Sequence, residues 1–470
     1  MSVLGGIIDA ANLAVLAYFV VINAVYLAMS LQAIVSLRRY ARRLKSLDLS
    51  EILSIGGIPP ITVVVPAHNE EATCVESVRA LLGLQYPEFE VLVVNDGSRD
   101  ATLARLQAAF DLVPAPRSPT ATLATAAIRA TLKSRSHPRL WVIDKENGGK
   151  ADALNAGINH CRTPLFCAID ADSLLERDAL VRIVRPFLED DATVAAGGII
   201  RIANGCDVRH GTLTRIGLPG NQLARLQVME YLRAFLAGRA GWSGLNATLI
   251  VSGAFGLFRR QTVVDAGGYD RNTVGEDMEL IVRLHRHCRD RRRPYRITFV
   301  PDPAAWTECP ETLRILGRQR ERWQRGLAET MARHRAMLFN PRYGRIGMIA
   351  MPYFFVLETL GPILEVGGYF TFGAAVLLGR LSLEHALAFF VLAFMLGLAL
   401  SLAGIALEEL TFRRYPRMGD LLTLLGIAVI ESFGYRQLSS LWRVRGLWGA
   451  LRRRRSWGVM TRTGFATAQR

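Results

Sequence analysis

The stretch that decides the fold is PLFCAIDADSLL, residues 164–175. An apolar run ends abruptly in Asp170-Ala171-Asp172, a pattern that predicts a buried strand whose carboxyl end delivers two carboxylates into a crevice. Because side chains alternate along a strand, we expect Asp170 and Asp172 to point to the same side, about 7 Å apart. A divalent cation with a phosphate between them is then the natural partner. The alternative is an aspartate that caps a helix beginning near Leu174.

Composition and charge limit the class of protein. The 470 residues could hold two or three domains, and half of them are hydrophobic. The net charge of +16 would suit nucleic acid, but Lys and Arg cluster beside apolar tracts, as at a cytoplasmic membrane face. The chain has no nucleic-acid motif, so we expect no nucleic-acid partner. The six cysteines form no CxxC pair, which indicates reduced core residues and neither a disulfide framework nor a zinc site.

The first apolar tract predicts a membrane-spanning helix. Residues 10–37 contain no charged side chain and are long enough to cross a bilayer of about 30 Å. A cleaved signal peptide is the alternative, but here the positive charges follow the apolar run and the run is too long for such a peptide. The basic segment RRYARRLK at 38–45 therefore predicts that the next part of the chain is cytoplasmic.

A strand, a helix and a second strand open the charged part of the chain. ITVVVPAHNEE is an apolar strand that ends at Pro66, a helix follows over roughly residues 72–84, and EVLVVNDGSRDAT is the second strand. The carboxyl ends of parallel strands meet at one edge of a sheet, where open α/β sheets bind nucleotides. We therefore expect the polar residues after the two strands to face one crevice: His68, Asn69, Glu70, Asp96 and Ser98. An ordinary turn is the alternative for NDGS.

The middle of the chain continues this pattern. Residues 110–138 carry four prolines and little periodicity, which predicts an inserted surface loop. A third strand, a Gly-Gly turn and a helix follow in RLWVIDKENGGKADALN, and TVAAGGIIRI at 193–202 predicts a further strand. Lys150 begins the helix, where it could meet a phosphate at the positive end of the helix dipole or could simply be solvated.

Two later segments carry candidate catalytic side chains. TVGEDMELIVRLHRH places Glu276 and Asp277 in the first turn of a helix, where an acid either caps the helix or acts as a general base. RILGRQRERWQRGL spaces Gln319, Arg322 and Trp323 by three and four residues, so they share one helix face. A helix lying on the membrane surface is the alternative for this segment.

The chain is apolar again over residues 349–379, 386–407 and 421–435. Glu358 and Glu365 lie in the first of these tracts, and because ionisable groups at membrane depth are costly, we expect them to face a wetted path lined by protein. An interfacial helix is the alternative for residues 346–357. Three crossings would leave the basic tail outside, so we expect the last tract, interrupted by Glu431 and Ser432, to be re-entrant or horizontal.

In this order, VVVPAHNEE, VVNDGS, GGKADALN, DAD, SGAFG, ED and QRERW resemble a family 2 glycosyltransferase of the membrane-embedded, processive type. Cellulose, chitin, hyaluronan and poly-N-acetylglucosamine synthases belong to that type, and the resemblance covers about Ile61 to Trp323 with the flanking spans. It implies an α/β GT-A fold, a Rossmann-like nucleotide-sugar domain that is cytosolic and flanked by transmembrane helices. The implied parts are a first span at 1–37, the GT-A domain at 38–345, transmembrane or interfacial helices at 346–442, and a basic cytosolic tail at 443–470.

The resemblance also implies roles for single residues. Asp96 would hold the uracil or ribose of a UDP-sugar beside the segment with Pro66, His68 and Glu70, and Lys150 would lie close to the diphosphate. Asp170 and Asp172 would bind nucleotide and Mg²⁺ or Mn²⁺, with Asp172 as the direct metal ligand. Asp277, next to Glu276, would be the catalytic base, although Gly275 replaces the usual Thr before it. Gln319, Arg322 and Trp323 would contact the acceptor sugar and the leaving diphosphate.

One further segment departs from the family pattern. SWGVMTR near the carboxyl terminus resembles the WGTR segment of hyaluronan and chitin synthases, but Val459 and Met460 are inserted in it.

The implied reaction is an inverting transfer from a UDP-sugar to a growing polysaccharide, processive and coupled to export. A single transfer to a lipid acceptor is the alternative, because ceramide glucosyltransferases share the three aspartates and QxxRW. A nucleotide-sugar sensor without turnover is disfavoured by the retained carboxylates. The implied location is the inner or plasma membrane, multi-pass with a cytoplasmic catalytic domain, and the implied partners are the UDP-sugar, a glycan or lipid acceptor, the bilayer and an accessory export subunit.

Overall fold

The structure is a computed structural model that describes residues 3–46, 57–209, 211–379 and 382–452. The SWGVMTR segment lies outside these residues. The chain forms two compact units. Of the described residues, the helical unit comprises those within 3–38, 219–244 and 310–452, and the sheet unit comprises those within 39–218 and 245–309.

A mixed sheet of ten strands is the centre of the sheet unit as far as the structure describes it. The strands in chain order are β1 (Ile61–Ala67), β2 (Phe89–Asp96), β3 (Leu112–Pro114), β4 (Ile128–Ser134), β5 (Leu140–Lys145), β6 (Leu165–Ala168), β7 (Ser173–Leu175), β8 (Thr193–Ile202), β9 (Asp207–Arg209), β10 (Thr212–Arg215), β11 (Gly256–Arg259) and β12 (Arg296–Thr307). The order across the sheet is β3-β4-β5-β2-β1-β6-β11-β8-β12-β7, and β9 pairs with β10 in a separate antiparallel ribbon.

The helices of both units are as follows. In chain order they are α1 (Val3–Ser46), α2 (Cys74–Leu82), α3 (Thr102–Phe110), α4 (Lys150–His160), α5 (Ala179–Glu189), α6 (Gln222–Tyr231), α7 (Arg239–Gly244), α8 (Arg260–Asp265), α9 (Glu276–Asp290), α10 (Leu313–Arg333), α11 (Met351–Tyr353), α12 (Gly361–Leu377), α13 (Leu383–Phe390), α14 (Leu396–Thr411), α15 (Met418–Ile430) and α16 (Tyr435–Leu451). Wider π-helical turns cover Leu232–Gly238, Ile346–Ala350, Phe354–Thr359 and Val391–Met395, and short 3₁₀ turns cover Arg335–Met337 and Pro341–Tyr343.

Four neighbouring strands in the sheet, β5, β2, β1 and β6, are parallel, so their carboxyl ends lie along one edge. β1 pairs in parallel with β2 on one side and β6 on the other, and β5 pairs in parallel with β2. β1, β2 and β5 are rich in Val, Ile and Leu, because parallel strands are covered on both faces. The chain order reverses at β1, which makes the carboxyl edge there the place where such folds bind ligands.

α4 packs unusually close to this part of the sheet. A Cβ on Gly157 would stand 2.3 Å from Val64 Cγ1, so only glycine lets the helix approach β1 this closely. Leu154 and Ile158 of α4 and Leu280 of α9 join the same buried cluster. The two helices whose first turns lie at the carboxyl edge therefore share one core.

Two expectations about the sheet unit are wrong. Residues 110–138 are not a simple surface loop, because β4 pairs antiparallel with β5 and β3 pairs antiparallel with β4. The Asp170-Ala171-Asp172 segment is not part of a strand: β6 ends at Ala168, and a turn closes with the Ser173 N–H donating to the Asp170 carbonyl at 3.0 Å. The strand-alternation argument for the two carboxylates therefore does not apply. No helix is capped there either, since β7 follows and pairs with β12.

The helical unit contains the apolar tracts. By length and composition, three of its described helices could cross a membrane: Ile8–Arg42, Ile346–Leu377 and Ala386–Thr411. α15 and α16 would pass the same test only as one pair, and that pair is bent by 61°. The break lies at residues 431–434, where the sequence already places Glu431 and Ser432 within the last tract.

Candidate active site

The ammonium group of Lys150 is the centre of an acidic cluster at the carboxyl edge of the sheet. Its Nζ lies 2.5 Å from Asp170 Oδ1 and 3.3 Å from Glu276 Oε1. Lys150 belongs to the first turn of α4, Asp170 to the turn after β6, and Glu276 to the first turn of α9. Since the Lys150 side chain is 19% exposed, a solute can reach the cluster. Three segments far apart in sequence thus meet at one point of the sheet edge.

Asp277 faces the same space as Lys150. Its Oδ2 accepts a long hydrogen bond of 3.4 Å from the Gly253 N–H, and its Oδ1 accepts from the Met278 N–H at 2.8 Å. A Cβ on Gly253 would stand 2.7 Å from Lys150 Nζ and 3.8 Å from Asp277 Oδ2. The glycine of SGAFG therefore leaves room between the cation and the carboxylate.

The charged groups of the cluster shift one another's pKa values. Burial lowers the pKa of Lys150, but the carboxylates of Asp170 and Glu276 outweigh this effect and raise the pKa well above its usual value. Burial raises the pKa of Glu276, and Lys150 offsets part of that increase. The neighbouring carboxylates therefore favour the charged form of Lys150.

Asp96, at the end of β2, holds the turn that precedes α4. Its Oδ1 accepts from Lys145 Nζ at 2.6 Å and from the Gly148 N–H at 3.0 Å, and its Oδ2 accepts from the Gly149 N–H at 2.8 Å. Gly149 has φ +89°, a value that favours glycine. Because Lys150 follows directly, Asp96 fixes the start of the helix that carries the central cation.

Sequence reasoning missed the buried ion pairs behind Asp96. The Lys145 side chain is fully buried, and its Nζ also lies 2.7 Å from Asp152 Oδ1. Asp152 in turn accepts from Arg271 Nη1 at 2.8 Å. Burial opposes ionisation of Asp152, but hydrogen bonds from Lys145 and Arg271 outweigh it and lower the pKa of that carboxyl. The one signal in the sequence is the density of charge in DKENGGKAD, between two apolar stretches.

The segment after β1 lies beside Asp96, as the sequence predicts. His68 Nδ1 is 2.8 Å from the Asp96 carbonyl oxygen, to which Asn147 Nδ2 donates at 2.9 Å. Pro66 is half-buried in β1, and the Glu70 N–H donates to Thr102 Oγ1 at 2.8 Å. The structure thus brings Pro66, His68, Glu70 and Asp96 to one edge.

Asp170 and Asp172 lie at the turn between β6 and β7, and their carboxylates are the groups at this edge that could hold a divalent cation. Carboxylate oxygens are the ligands that Mg²⁺ and Mn²⁺ prefer. In the part of the chain that the structure describes, no three His, Cys, Asp or Glu side chains stand together as a metal site.

Gln319, Arg322 and Trp323 lie on α10, which belongs to the helical unit. The Trp323 side chain is 39% exposed, and the guanidinium of Arg320 stacks over its ring at 4.3 Å. Arg320 is itself buried and paired with Glu230 at 2.7 Å. The indole is therefore held from one side and leaves its other face accessible.

A family model described as "glycosyltransferase like family 2" matches residues 59–326, which is more than half of the chain. The chain belongs to glycosyltransferase family 2. The prediction of a glycosyltransferase enzyme is thereby confirmed.

Two curated relatives are synthases of a polysaccharide. The chain is 27% identical over 289 residues to the poly-beta-1,6-N-acetyl-D-glucosamine synthase of Staphylococcus aureus (strain COL), covering 61% of the chain and 59% of the synthase. The Staphylococcus epidermidis synthase of the same name is 26% identical over 273 residues, covering 58% and 56%. The chain thus spans less than two thirds of the length of these relatives.

The solved structures confirm the fold. The mannosyltransferase of Pyrobaculum calidifontis, in complex with GDP-Man and Mn²⁺, matches with a TM-score of 0.50 and 19% identity over 88% of this chain and 99% of that one. Together with the family match, this likeness confirms the α/β GT-A fold that the sequence predicts. Candidate membrane-spanning helices flank it in sequence on both sides.

Proposed function

We propose that the protein is a membrane-bound, inverting glycosyltransferase that adds sugars from a UDP-sugar to a growing polysaccharide, processively and with export of the product. The observation that carries the proposal is the cluster of Asp170, Glu276 and Asp277 around Lys150, in a chain that belongs to family 2. The synthase names of the curated relatives support a polysaccharide as product.

The donor would bind along the carboxyl edge of the sheet. Asp96 and the segment with Pro66, His68 and Glu70 would hold the nucleoside, and Lys150 would meet the diphosphate. Asp170 and Asp172 would hold Mg²⁺ or Mn²⁺, with Asp172 as the direct ligand. When bound, the metal supplies positive charge that stabilises the nucleoside diphosphate as it leaves.

Asp277 would act as the general base. Its Oδ2 would take the proton from the acceptor hydroxyl as that oxygen bonds to the anomeric carbon and the bond from that carbon to the diphosphate oxygen breaks in line. Attack from the face opposite the leaving group inverts the anomeric centre. Glu276 would hold Lys150 in place, and the ammonium and the guanidinium of Arg322 would stabilise the charge that develops on the leaving diphosphate.

The acceptor side would be formed by α10. Trp323 would stack its exposed ring face on a sugar of the growing chain, and Gln319 would donate a hydrogen bond to it. An aromatic face contacts each successive sugar in the same way, which suits a polymer that moves by one unit after each transfer.

Several features of the helical unit support a membrane location and export. Glu358 and Glu365 lie within the candidate span Ile346–Leu377 and accept hydrogen bonds from Tyr26 and Tyr18 of α1 at 3.0 and 2.9 Å. Ionisable side chains at membrane depth are costly, and where they occur they face a protein-lined interior and mark a pathway. We propose the inner or plasma membrane, with a first span at 1–37, a cytoplasmic catalytic domain at 38–345, membrane helices at 346–442, a cytosolic tail at 443–470, and an accessory export subunit as a further partner.

Product length tests the proposal. Purified protein in lipid would be incubated with labelled UDP-sugars, beginning with UDP-N-acetylglucosamine, in the presence of Mg²⁺ or Mn²⁺. The proposal predicts release of UDP and a ladder of polymer. A single sugar on an extracted lipid would favour the alternative of one transfer to a lipid acceptor, and no UDP release with any sugar would contradict both.

A further inference from the structure

Two buried asparagines of α4 hold separate loops by the same pair of hydrogen bonds. Asn155 Nδ2 donates to the Tyr269 carbonyl at 2.8 Å, and its Oδ1 accepts from the Tyr269 N–H at 2.7 Å. One turn later, Asn159 Nδ2 donates to the Leu123 carbonyl at 2.8 Å, and its Oδ1 accepts from the Leu123 N–H at 2.8 Å. The residues are 3% and 6% exposed. The two amide clamps are chemically alike and differ in what they hold.

The Asn155 clamp holds a turn that is gripped from two helices. Tyr269 ends the turn 266–269, and Arg283 of α9 donates to the Ala266 and Gly268 carbonyls, at 2.6 Å in each case. Gly268 has φ +71°, and a Cβ there would stand 2.5 Å from Asn155 Oδ1. The backbone of the turn therefore lies so close to the Asn155 amide that a side chain at position 268 would clash with it.

These two helices carry the central groups of the site. Lys150 lies in the first turn of α4 and Asp277 in the first turn of α9. The turn 266–269 joins them, because Asn155 binds it from α4 and Arg283 binds it from α9. The turn is thus one hydrogen-bonded connection between the helix that carries the ammonium and the helix that carries the carboxylate. The Asn159 clamp, in contrast, holds the backbone of Leu123, which makes no hydrogen bond to the cluster but packs its apolar side chain against the turn near Gly268.

We propose that Asn155 is a positioning residue for the transfer reaction: through the turn 266–269 it sets the place of Asp277 relative to Lys150. The inference rests on the proposed function of Asp277 as base. Asn155 touches no reacting atom, and Lys150 is fixed separately by the turn that Asp96 holds. Loss of the clamp should therefore disturb proton removal more than donor binding.

The matched pair Asn155→Ala and Asn159→Ala tests this inference. Each variant loses two buried hydrogen bonds of the same helix, so the two should lose similar thermal stability. A misplacement of about 1 Å can cost about a hundredfold in rate, so we expect the kcat of Asn155→Ala to fall at least about tenfold. Its Kd for UDP and KM for the donor should stay close to wild type. Asn159→Ala leaves the hydrogen bonds of Asn155 and Arg283 to the turn in place, so its kcat should fall clearly less than that of Asn155→Ala.

Several outcomes decide the question. Equal kcat values for the two variants would overturn the inference, and so would a loss in Asn155→Ala that is confined to UDP binding. If Asn155→Ala does not fold, Arg283→Lys releases the same turn from α9 and should show the same selective loss of kcat. An unchanged kcat there would also overturn the inference. A wild-type protein that releases no UDP from any donor would overturn the proposed function and this inference with it.

Discussion

Carboxylates gather in both units of the molecule, but they are held in different ways. At the sheet edge, Asp170 and Glu276 share one ammonium group, that of Lys150. In the helical unit one carboxylate has several donors instead: Glu358 accepts from the hydroxyls of Tyr26 and Tyr353 and from Arg443, the last at 2.9 Å. At the sheet edge, the charged side chains meet at one point that solvent can reach. In the helical unit, the ion pairs lie at separate places among packed helices. Variants of the sheet-edge cluster should therefore change rate or binding, whereas variants of the paired carboxylates in the helical unit should change stability.

Replacing the proposed base should give the largest effect. Asp277→Asn keeps the size of the side chain but cannot take a proton, so kcat should fall by about 10³-fold or more, within the range of general-base contributions. Binding of the UDP-sugar, measured by calorimetry, should stay near normal, and the melting temperature should change little. Asp265→Asn, an acid of α8 outside the cluster, is the control and should keep full activity. Comparable turnover by the two variants would refute the assignment of Asp277.

Removing the central cation should affect donor binding next most strongly. Lys150→Gln loses a charged contact to the diphosphate, and such contacts are worth about 1.5–3 kcal/mol, so the Kd for UDP should rise roughly 10- to 100-fold. Lys133→Gln, which removes a lysine of β4 that lies over Trp141, is the matched control. Equal affinity of both variants for UDP would place the diphosphate elsewhere.

A change in the helical unit should show the opposite pattern. Glu358→Gln removes the charge that Arg443 faces, and because both side chains are partly exposed we expect a loss of about 1–2 kcal/mol in stability, less than for a fully buried pair. The melting temperature should fall while the Kd for UDP stays unchanged. The exposed Glu384 of α13 supplies the control, and Glu384→Gln should leave both quantities as they are. A weaker affinity for UDP in Glu358→Gln would contradict the expectation that this carboxylate contributes to stability and not to nucleotide binding.

The smallest predicted effect is a pH dependence of stability in the sheet unit. His285 of α9 is buried, bonded to the Thr248 carbonyl at 2.9 Å and the Tyr295 hydroxyl at 2.8 Å, and burial lowers its pKa from 6.5 to about 4. Below pH 6.5 the unfolded state binds a proton that the folded state does not take up until about pH 4. Stability should therefore be full above pH 6.5 and fall by about 1 kcal/mol on going to pH 5.5. His285→Gln should flatten this dependence in thermal melts, and an unchanged slope would contradict it.

The sequence predicts those parts of the site that follow from local pattern. Apolar runs predict β1, β2 and β6, and the polar residues after them lie at one edge because parallel strands end together. No apolar pattern predicts the burial of Lys145, because that burial depends on ion pairs with Asp152, at the start of α4, and with Asp96, at the end of β2. The contact of Tyr18 with Glu365 joins residues 347 apart in the chain, and no periodicity reveals it.

The errors have tertiary causes as well. The prolines of residues 110–138 predict a loop, but pairing with β5 makes β4 a strand despite them. The Asp170-Ala171-Asp172 segment continues an apolar strand in sequence, yet the turn that closes between Asp170 and Ser173 removes it from the sheet. In both cases the structure includes a strand pairing that the local sequence does not reveal. β4 pairs with β5, and β7, which directly follows the turn, pairs with β12.

A structure of the protein with UDP and Mn²⁺ tests the central claim most directly. The account predicts a diphosphate in contact with Lys150 Nζ, a metal ion on Asp172, and an open space between the diphosphate and Asp277. Nucleotide bound at another face, with Lys150 still bonded to Asp170 and Glu276 alone, would contradict it.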